Sequence, residues 1–176
     1  MSSLGEEAKD WIVSIATAVV LALIIRTFIV ELYLVDGPSM RPTLQSAERL
    51  VVNKFIYRFR EPERGDIVTF ADPQVAGRTL IKRVIAVGGQ TVDLQGGSVY
   101  VDGEKLDEPY TLGKPSEPLS ADLTYPYTVP EGYIWCMGDN RTNSSDSRDF
   151  GPVPLENVTG HAFFRYWPFD RIGTLE

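Results

Sequence analysis

Cysteine and histidine are almost absent from this chain, whose 176 residues contain one of each, Cys136 and His161. An intrachain disulfide is therefore excluded, and a zinc site of cysteine and histidine ligands is not expected. Basic residues are also in deficit, with 17 Lys and Arg against 24 Asp and Glu, so the formal charge is −7. No basic run alternates with aromatic residues, so we expect no nucleic-acid partner.

Charge is missing from one long segment near the N-terminus. Residues 11–25 are fifteen uncharged residues, and the apolar character continues beyond Arg26 to residue 30. The twenty residues 11–30 match a hydrocarbon core of about 30 Å, provided that Arg26 reaches the headgroups at one interface. We therefore predict a single transmembrane helix over 11–30 in a lipid bilayer, with a short N-terminal tail of residues 1–10 and one domain over 31–176.

Other interpretations of this segment are a cleavable signal peptide and a buried core helix. The signal peptide is disfavoured because the preceding residues are acidic rather than basic and no small-x-small cleavage site follows. The core helix stays open because fifteen uncharged residues are few for a span. The orientation also stays open, since the positive-inside rule has little force when a whole domain follows the helix.

Beyond residue 31 the sequence changes to short runs of alternating apolar and β-branched residues. The predicted strands cover residues 32–35, 50–55, 66–70, 79–87, 91–94, 98–101, 133–137 and 161–166. Asp102-Gly103 is typical of a type I′ hairpin turn, and a short helical turn is predicted at 154–158. The fold class is therefore mostly β, an antiparallel barrel-like or two-sheet body. A proline-rich, acidic excursion is expected at about 107–132.

Three segments carry polar residues that a plain β domain does not require. In the first, Pro38 and Pro42 flank Ser39 and restrict the backbone, although a serine in a turn is commonly only a turn former. In the second, a period of two places Leu80, Lys82, Val84 and Ala86 on one face. If this face is buried, the pKa of Lys82 is lowered. Alternatively, the strand lies at the edge of a sheet and Lys82 is an exposed residue that protects this edge from pairing.

The third segment is the polar loop 138–151, which follows an apolar strand and contains three acids, two bases and three serines. Such a loop can form an ion-paired network that fixes a neighbouring hydroxyl, although polar surface loops are common.

Hydrolytic arrangements can be compared by elimination. A Ser/His/Asp triad would need His161, which lies in an apolar stretch. A Cys/His pair would need Cys136, which looks like a small buried hydrophobe, and its order relative to the histidine is the reverse of that in sortases. A Ser-x-x-Lys arrangement that starts at Ser39 would need a lysine at position 42, where this chain has a proline. A serine activated by a buried lysine, Ser39 with Lys82, remains.

Four segments resemble the type I signal peptidases (leader peptidases) of bacteria, in the short form of Gram-positive species. Residues 37–44 resemble the Ser-Met-x-Pro-Thr-Leu box and residues 64–68 the Gly-Asp-x-Val box. Residues 81–86 resemble the Lys-Arg box, and residues 138–148 the Gly-Asp-Asn box that ends in Asp-Ser-Arg. They follow the family order behind an N-terminal anchor.

The resemblance implies a mostly β, cofactor-free and metal-free serine endopeptidase that cleaves signal peptides from exported preproteins after small side chains. Ser39 would be the nucleophile, Lys82 the general base and Ser144 the hydroxyl that orients the amine. Supporting ion pairs would come from Asp139, Asp146, Arg83 and Arg148. The family works at the outer face of the cytoplasmic membrane, with its N-terminus in the cytoplasm, its catalytic domain outside and a functional association with the secretion translocon.

The walls of the substrate pocket are also carried over from the family positions. They are Tyr33, Val35, Met40, Leu44, Leu80 and Ile81. The chain departs from the family at Gly37, where some relatives carry a serine that helps to stabilise the oxyanion, so that the backbone N–H of Ser39 becomes the main donor. It departs again at residues 88–90, Gly-Gly-Gln, where Pro-Gly-Asp is common.

Two rival functions remain. One is a non-catalytic, membrane-anchored β module that binds an extended peptide at a sheet edge, and it would not require Lys82 on an apolar face. The other is the group of self-cleaving repressor peptidases, which use a similar Ser/Lys pair but carry a soluble N-terminal part.

Overall fold

A computed structural model of the chain describes residues 4–175, so residues 1–3 of the predicted tail and residue 176 lie outside the described residues. The helices are α1 (Leu4–Phe28) and α2 (Ser147–Phe150). The strands are β1 (Val30–Leu34), β2 (Arg49–Asn53), β3 (Ile67–Ala71), β4 (Thr79–Val87), β5 (Thr91–Gln95), β6 (Ser98–Val101), β7 (Glu104–Lys105), β8 (Tyr127–Thr128), β9 (Tyr133–Met137), β10 (Val153–Pro154), β11 (Val158–Trp167) and β12 (Gly173–Thr174).

The N-terminal helix differs from the predicted segment 11–30 at both ends. α1 begins at Leu4 and ends at Phe28, and Val30 already pairs with Asn53 in the first strand pair. A β-branched residue followed by alternating side chains favours a strand over a further helical turn. Among the described residues, no helix is both long enough and apolar enough to cross a membrane.

The larger sheet is antiparallel, with the strand order β1-β2-β11-β3-β4-β9-β10 and with β12 paired to β11. It curls so strongly that β1 and β4 approach each other although three strands separate them. The hydroxyl of Tyr33 in β1 donates to the Thr79 carbonyl in β4 at 3.0 Å. The inside of this curl is filled by apolar side chains from β2, β3, β4 and β11.

A smaller sheet of order β7-β6-β5-β8 packs on one end of the larger one. The Asp102-Gly103 turn joins β6 to β7, as predicted, with φ values of 54° and 81°. The excursion 107–132 begins with a 3-10 helix at Pro109–Thr111, and its end returns to the smaller sheet as β8. It is therefore integrated into the second sheet at its far end.

One local prediction is confirmed, one short helix was not expected, and one face assignment needs correction. The helical turn expected at 154–158 is a 3-10 helix at Leu155–Asn157, and the short α-helix lies earlier, at α2, where Asp146 caps it by accepting from the Arg148 N–H. On β4, the register against β9 shifts between Val84 and Ala86. Because the extra residue reverses the alternation, Ala86 packs with the smaller sheet and does not share the face of Lys82 and Val84.

Candidate active site

Lys82 lies in the middle of β4, where its cross-strand partner in β3 is Val68. Its neighbours on the same face, Leu80 and Val84, pack with Val68 in one apolar cluster, as expected from the period of two. Only 2% of Lys82 is exposed. Burial lowers the pKa of Lys82 from its ordinary value, and the negative charge of Asp146 opposes this in part. The amine is therefore held in surroundings that favour its neutral form.

Ser39 lies in the turn that follows β1, and the structure brings it to Lys82. The Lys82 Nζ donates to Ser39 Oγ at 2.9 Å. The next side chain, Met40, is buried in the inner core together with Leu44, so the segment that carries Ser39 is anchored on its far side. Ser39 itself is only half-buried. A hydroxyl that is reachable from solvent and in contact with a buried amine is the arrangement of an activated nucleophile.

The polar loop holds the backbone of this turn through Asn140. The Asn140 N–H donates to the Ser39 carbonyl at 2.9 Å, and its side-chain Nδ2 donates to the Pro38 carbonyl at 3.0 Å. The opposite atom of the same amide, Oδ1, accepts from Lys114 of the excursion at 2.5 Å. Asn140 received no role from the sequence, although its position in the polar loop was a usable signal.

Gly138 makes the close approach of the polar loop possible. A Cβ at this position would collide with the Ser39 carbonyl oxygen and with Ser144 Oγ. Ser144 is thereby brought beside the Ser39 turn, but its Oγ is buried without a hydrogen-bond partner among residues 4–175. The hydrogen bond expected between Ser144 and the lysine amine is not formed in this structure. Its orienting role stays a prediction.

Arg83 and Asp139 form a buried, bidentate ion pair behind the Ser/Lys contact. Both pairs of atoms, Nε with Oδ1 and Nη2 with Oδ2, lie 2.9 Å apart, and the arginine also lies 4.1 Å above the ring of Tyr110. Thr43 Oγ1 donates to the same carboxylate at 2.5 Å. Asp139 therefore connects β4, next to Lys82, with the segment that follows Ser39.

Asp146 and Arg148 form a second buried pair, with the Nε–Oδ1 and Nη2–Oδ2 distances both 2.9 Å. Asp146 also accepts from the Gly138 N–H at 3.0 Å, and the Arg148 guanidinium donates to the Arg141 carbonyl at 2.8 Å. These bonds close the polar loop on itself, as an ion-paired network would. The four predicted charged residues thus lie in two buried pairs.

A further buried ion pair was not expected from the sequence. Arg141 binds Glu108 of the excursion in bidentate fashion, at 2.9 Å and 2.5 Å, and donates to Ser116 Oγ at 2.6 Å. It also donates to the Gly138 carbonyl at 3.1 Å. The excursion is in this way attached to the loop that holds Ser39. No local pattern linked residues that lie 33 positions apart.

Five of the six predicted pocket residues lie together, and the sixth does not. Val35, Met40, Leu44 and Ile81 share the inner core of the larger sheet, with Tyr33 packed against it. Leu80 instead packs with the apolar cluster on the opposite face of β4, because adjacent residues of a strand point to opposite faces.

Among residues 4–175, the side chains around Cys136 and His161 do not form a Cys/His pair or a Ser/His/Asp triad. Cys136 is completely buried, and this burial raises the pKa of its thiol. His161 lies 3.6 Å from Asp66, which is already bound by Arg60, and burial lowers the pKa of the imidazole. Within the described part of the chain, no group of three or more His, Cys, Asp or Glu side chains is arranged to hold a metal ion.

Comparison with known proteins identifies the family. Residues 8–167 match the family described as "Signal peptidase, peptidase S26". The chain belongs to this family and is a serine peptidase.

Several relatives match almost the whole chain, and a solved structure matches just over half of it. A probable signal peptidase I-1 of Synechocystis sp. (strain ATCC 27184 / PCC 6803 / Kazusa) is 43% identical over 95% of this chain and 86% of its own. A signal peptidase I of Bacillus licheniformis is 41% identical over 93% of this chain and 90% of its own. A crystal structure of a signal peptidase I from Enterococcus faecalis V583 is similar at 32% identity, with a TM-score of 0.47, over 58% of this chain and 97% of that chain.

Proposed function

We propose that this chain is a membrane-bound serine endopeptidase that removes signal peptides from exported preproteins, with Ser39 as nucleophile and Lys82 as general base. The observation that carries the proposal is the 2.9 Å contact between Lys82 Nζ and Ser39 Oγ, made by a lysine that is 2% exposed. A buried amine with a lowered pKa can accept the hydroxyl proton at a lower pH than an exposed lysine can.

The proposed reaction proceeds through an acyl-enzyme. Neutral Lys82 accepts the Ser39 proton while Oγ attacks the carbonyl carbon of the scissile peptide bond. The resulting ammonium donates this proton to the leaving amine as the C–N bond breaks, and an ester on Ser39 remains. Water, deprotonated by Lys82, then attacks the ester, and the proton returns to Ser39 Oγ as the C–O bond breaks.

The backbone N–H of Ser39 is the oxyanion donor in this proposal. Among residues 4–175 it donates no hydrogen bond to another group. Gly37 lacks a hydroxyl that could assist, so a preorganised backbone donor would supply the stabilisation.

An extended substrate has a place to bind between β1 and β4. β4 pairs with β9 only from Arg83 onward, which leaves its residues 79–82 unpaired on that side. β1 pairs with β2 on one edge, and in the described residues no strand covers its other edge. A peptide that adds a strand here would form main-chain hydrogen bonds and would present alternate side chains to the inner core.

The membrane attachment is proposed for α1. Its side chains Trp11, Ile12 and Leu23 are 71%, 67% and 57% exposed, an arrangement that water disfavours. Insertion of α1 would bury them, with the N-terminus in the cytoplasm and the β domain outside, as in the family. Sedimentation of the full chain with membranes after alkaline carbonate extraction tests the attachment, and release into the supernatant would refute it.

Cleavage of a preprotein is the direct test of the activity. The full chain in detergent is incubated with an exported preprotein, and the new N-terminus of the product is sequenced. We expect cleavage by the parent, none by Ser39→Ala with an unchanged thermal midpoint, and parental rates for the control Ser98→Ala in β6. Binding of the preprotein without cleavage by the parent would instead favour a peptide-binding module.

A further inference from the structure

Glu48 is a buried carboxylate that neither the Ser/Lys contact nor the two predicted ion pairs use. It precedes β2 and is 2% exposed. Arg165 of β11 lies 3.2 Å from its Oε2, and Arg171, from the 3-10 helix Phe169–Arg171, lies 2.8 Å from its Oε1. A carboxylate is rarely buried unless it is paired. We call Glu48, Arg165 and Arg171 the arginine clamp.

Both guanidinium groups of the clamp also donate to main-chain carbonyls just after Ser39. Arg165 Nη1 donates to the Thr43 carbonyl at 2.9 Å. Arg171 Nη2 donates to the carbonyls of Thr43 and Pro42 at 3.2 Å and 3.3 Å. Hydrogen bonds from a charged donor are stronger than neutral ones, so these donors restrain the two carbonyls, most closely through the 2.9 Å bond to Thr43.

The clamp and Asn140 hold the same short segment at opposite ends. Asn140 binds the carbonyls of Pro38 and Ser39, whereas the clamp binds those of Pro42 and Thr43. The backbone around Ser39 is therefore restrained on both sides, by residues that come from the polar loop and from the C-terminal part of the chain.

We propose that Arg165 and Arg171, kept in place by Glu48, are positioning residues that set the distance between Ser39 Oγ and Lys82 Nζ. This inference rests on the proposed function, because it assigns the clamp a role toward the nucleophile. The reason is geometric: a displacement of about 1 Å at reacting atoms can lower a rate by about 100-fold, and the contact to be maintained is 2.9 Å long.

Glu48 acts through the two arginines in this scheme. Their side chains are 13% and 27% exposed, so each could turn toward water if the carboxylate were removed. The two positive charges would also repel each other at close range. Loss of Glu48 should therefore release the same carbonyls as loss of an arginine, and the effects of the two changes should not add.

The test compares kcat of Arg171→Met, Arg165→Met, Glu48→Gln and the double variant Glu48→Gln/Arg171→Met with that of the parent. Each full chain is assayed in detergent with the same preprotein, at a temperature where circular dichroism shows it folded. We expect each single variant to lose about 10- to 100-fold in kcat, with the loss in kcat and not in KM. The double variant should lose no more kcat than whichever of its two single variants is less active. Arg171→Lys should recover part of the rate that Arg171→Met loses.

Arg49→Met is the matched control, because Arg49 is exposed and belongs to β2, outside the clamp. A folded Arg171→Met or Arg165→Met variant with kcat within twofold of the parent would overturn the proposal, and so would a loss confined to thermal stability. If neither folds, Arg171→Gln is held to the same criterion. A parent that does not cleave refutes the proposed function itself, whereas a cleaving parent with unaffected clamp variants refutes only this inference.

Discussion

Replacement of Lys82 by methionine tests the burial of the amine and its chemical role in one variant. Methionine has a similar length and is apolar, so it suits a face shared with Val68, Leu80 and Val84. We expect cleavage to fall by at least the factor of about 10² to 10⁴ that general-base catalysis contributes. We also expect the variant to fold.

The effect on stability follows from proton linkage. Burial lowers the folded-state pKa of Lys82 below the ordinary 10.5. Above pH 10.5 the amine is neutral in the folded and in the unfolded chain, so its protonation state adds no free-energy penalty to folding. As the pH falls from there to the folded pKa, the unfolded chain binds a proton that the folded chain does not, and folding loses about 1.4 kcal/mol per pH unit. Below the folded pKa the penalty is constant.

Methionine removes this penalty and loses the hydrogen bond to Ser39, which is worth about 1 kcal/mol. Relative to the parent, the variant should therefore be more stable at pH 7 than it is at pH 10.5 and above. Its advantage should shrink as the pH approaches 10.5, because the penalty on the parent disappears there.

The assays are urea unfolding at neutral and alkaline pH, and preprotein cleavage across the same range. Lys105→Met, an exposed lysine in β7, is the control and should change neither. Parental activity should rise with pH as Lys82 loses its proton. Cleavage by Lys82→Met at a near-parental rate would refute the dyad, and a variant less stable by more than about 2 kcal/mol would refute the desolvation argument. An activity optimum below about pH 5 would indicate a carboxylate base instead.

Three other predictions concern the surroundings of the dyad. Asp139→Asn should destabilise the fold by about 3–5 kcal/mol, because the buried Arg83 guanidinium loses the negative charge that balances it. Urea unfolding measures this, exposed Asp122→Asn is the control, and equal losses in both variants would contradict the prediction. Asn140→Ala removes the bond to the Pro38 carbonyl and should lower kcat about tenfold in the preprotein assay, whereas an unchanged kcat would show that the backbone bond suffices. The last prediction concerns preproteins with leucine in place of alanine, either at the residue just before the scissile bond or at the residue two positions before that one. Both should be cleaved much more slowly because leucine conflicts sterically with the inner core, whereas the position between them should tolerate large residues. Equal cleavage rates with leucine and alanine would refute the predicted pocket.

Much of the fold is encoded in local patterns. β4, β6 and β9 have the bounds that alternation and glycine turns predict, because a strand with one buried face must alternate. The four motifs identify the family, and the match over residues 8–167 confirms it. The pairing of Ser39 with Lys82 is predicted by elimination, since the chain has one histidine, one cysteine and a proline where a Ser-x-x-Lys arrangement would need its lysine.

Other features depend on register and on the curl of the sheet, which no local pattern encodes. The bulge beside Ile85 places Ala86 on the face opposite to Lys82. The pocket predicted from motif positions included both Leu80 and Ile81, although adjacent residues of a strand point to opposite faces. Contacts that link the ends of the chain, such as Asn140 to Ser39 and Arg171 to Thr43, appear only when distant strands are paired. The sequence thus specifies the candidate nucleophile and base. Long-range packing decides the distance between them, because that distance depends on the relative placement of several elements at once.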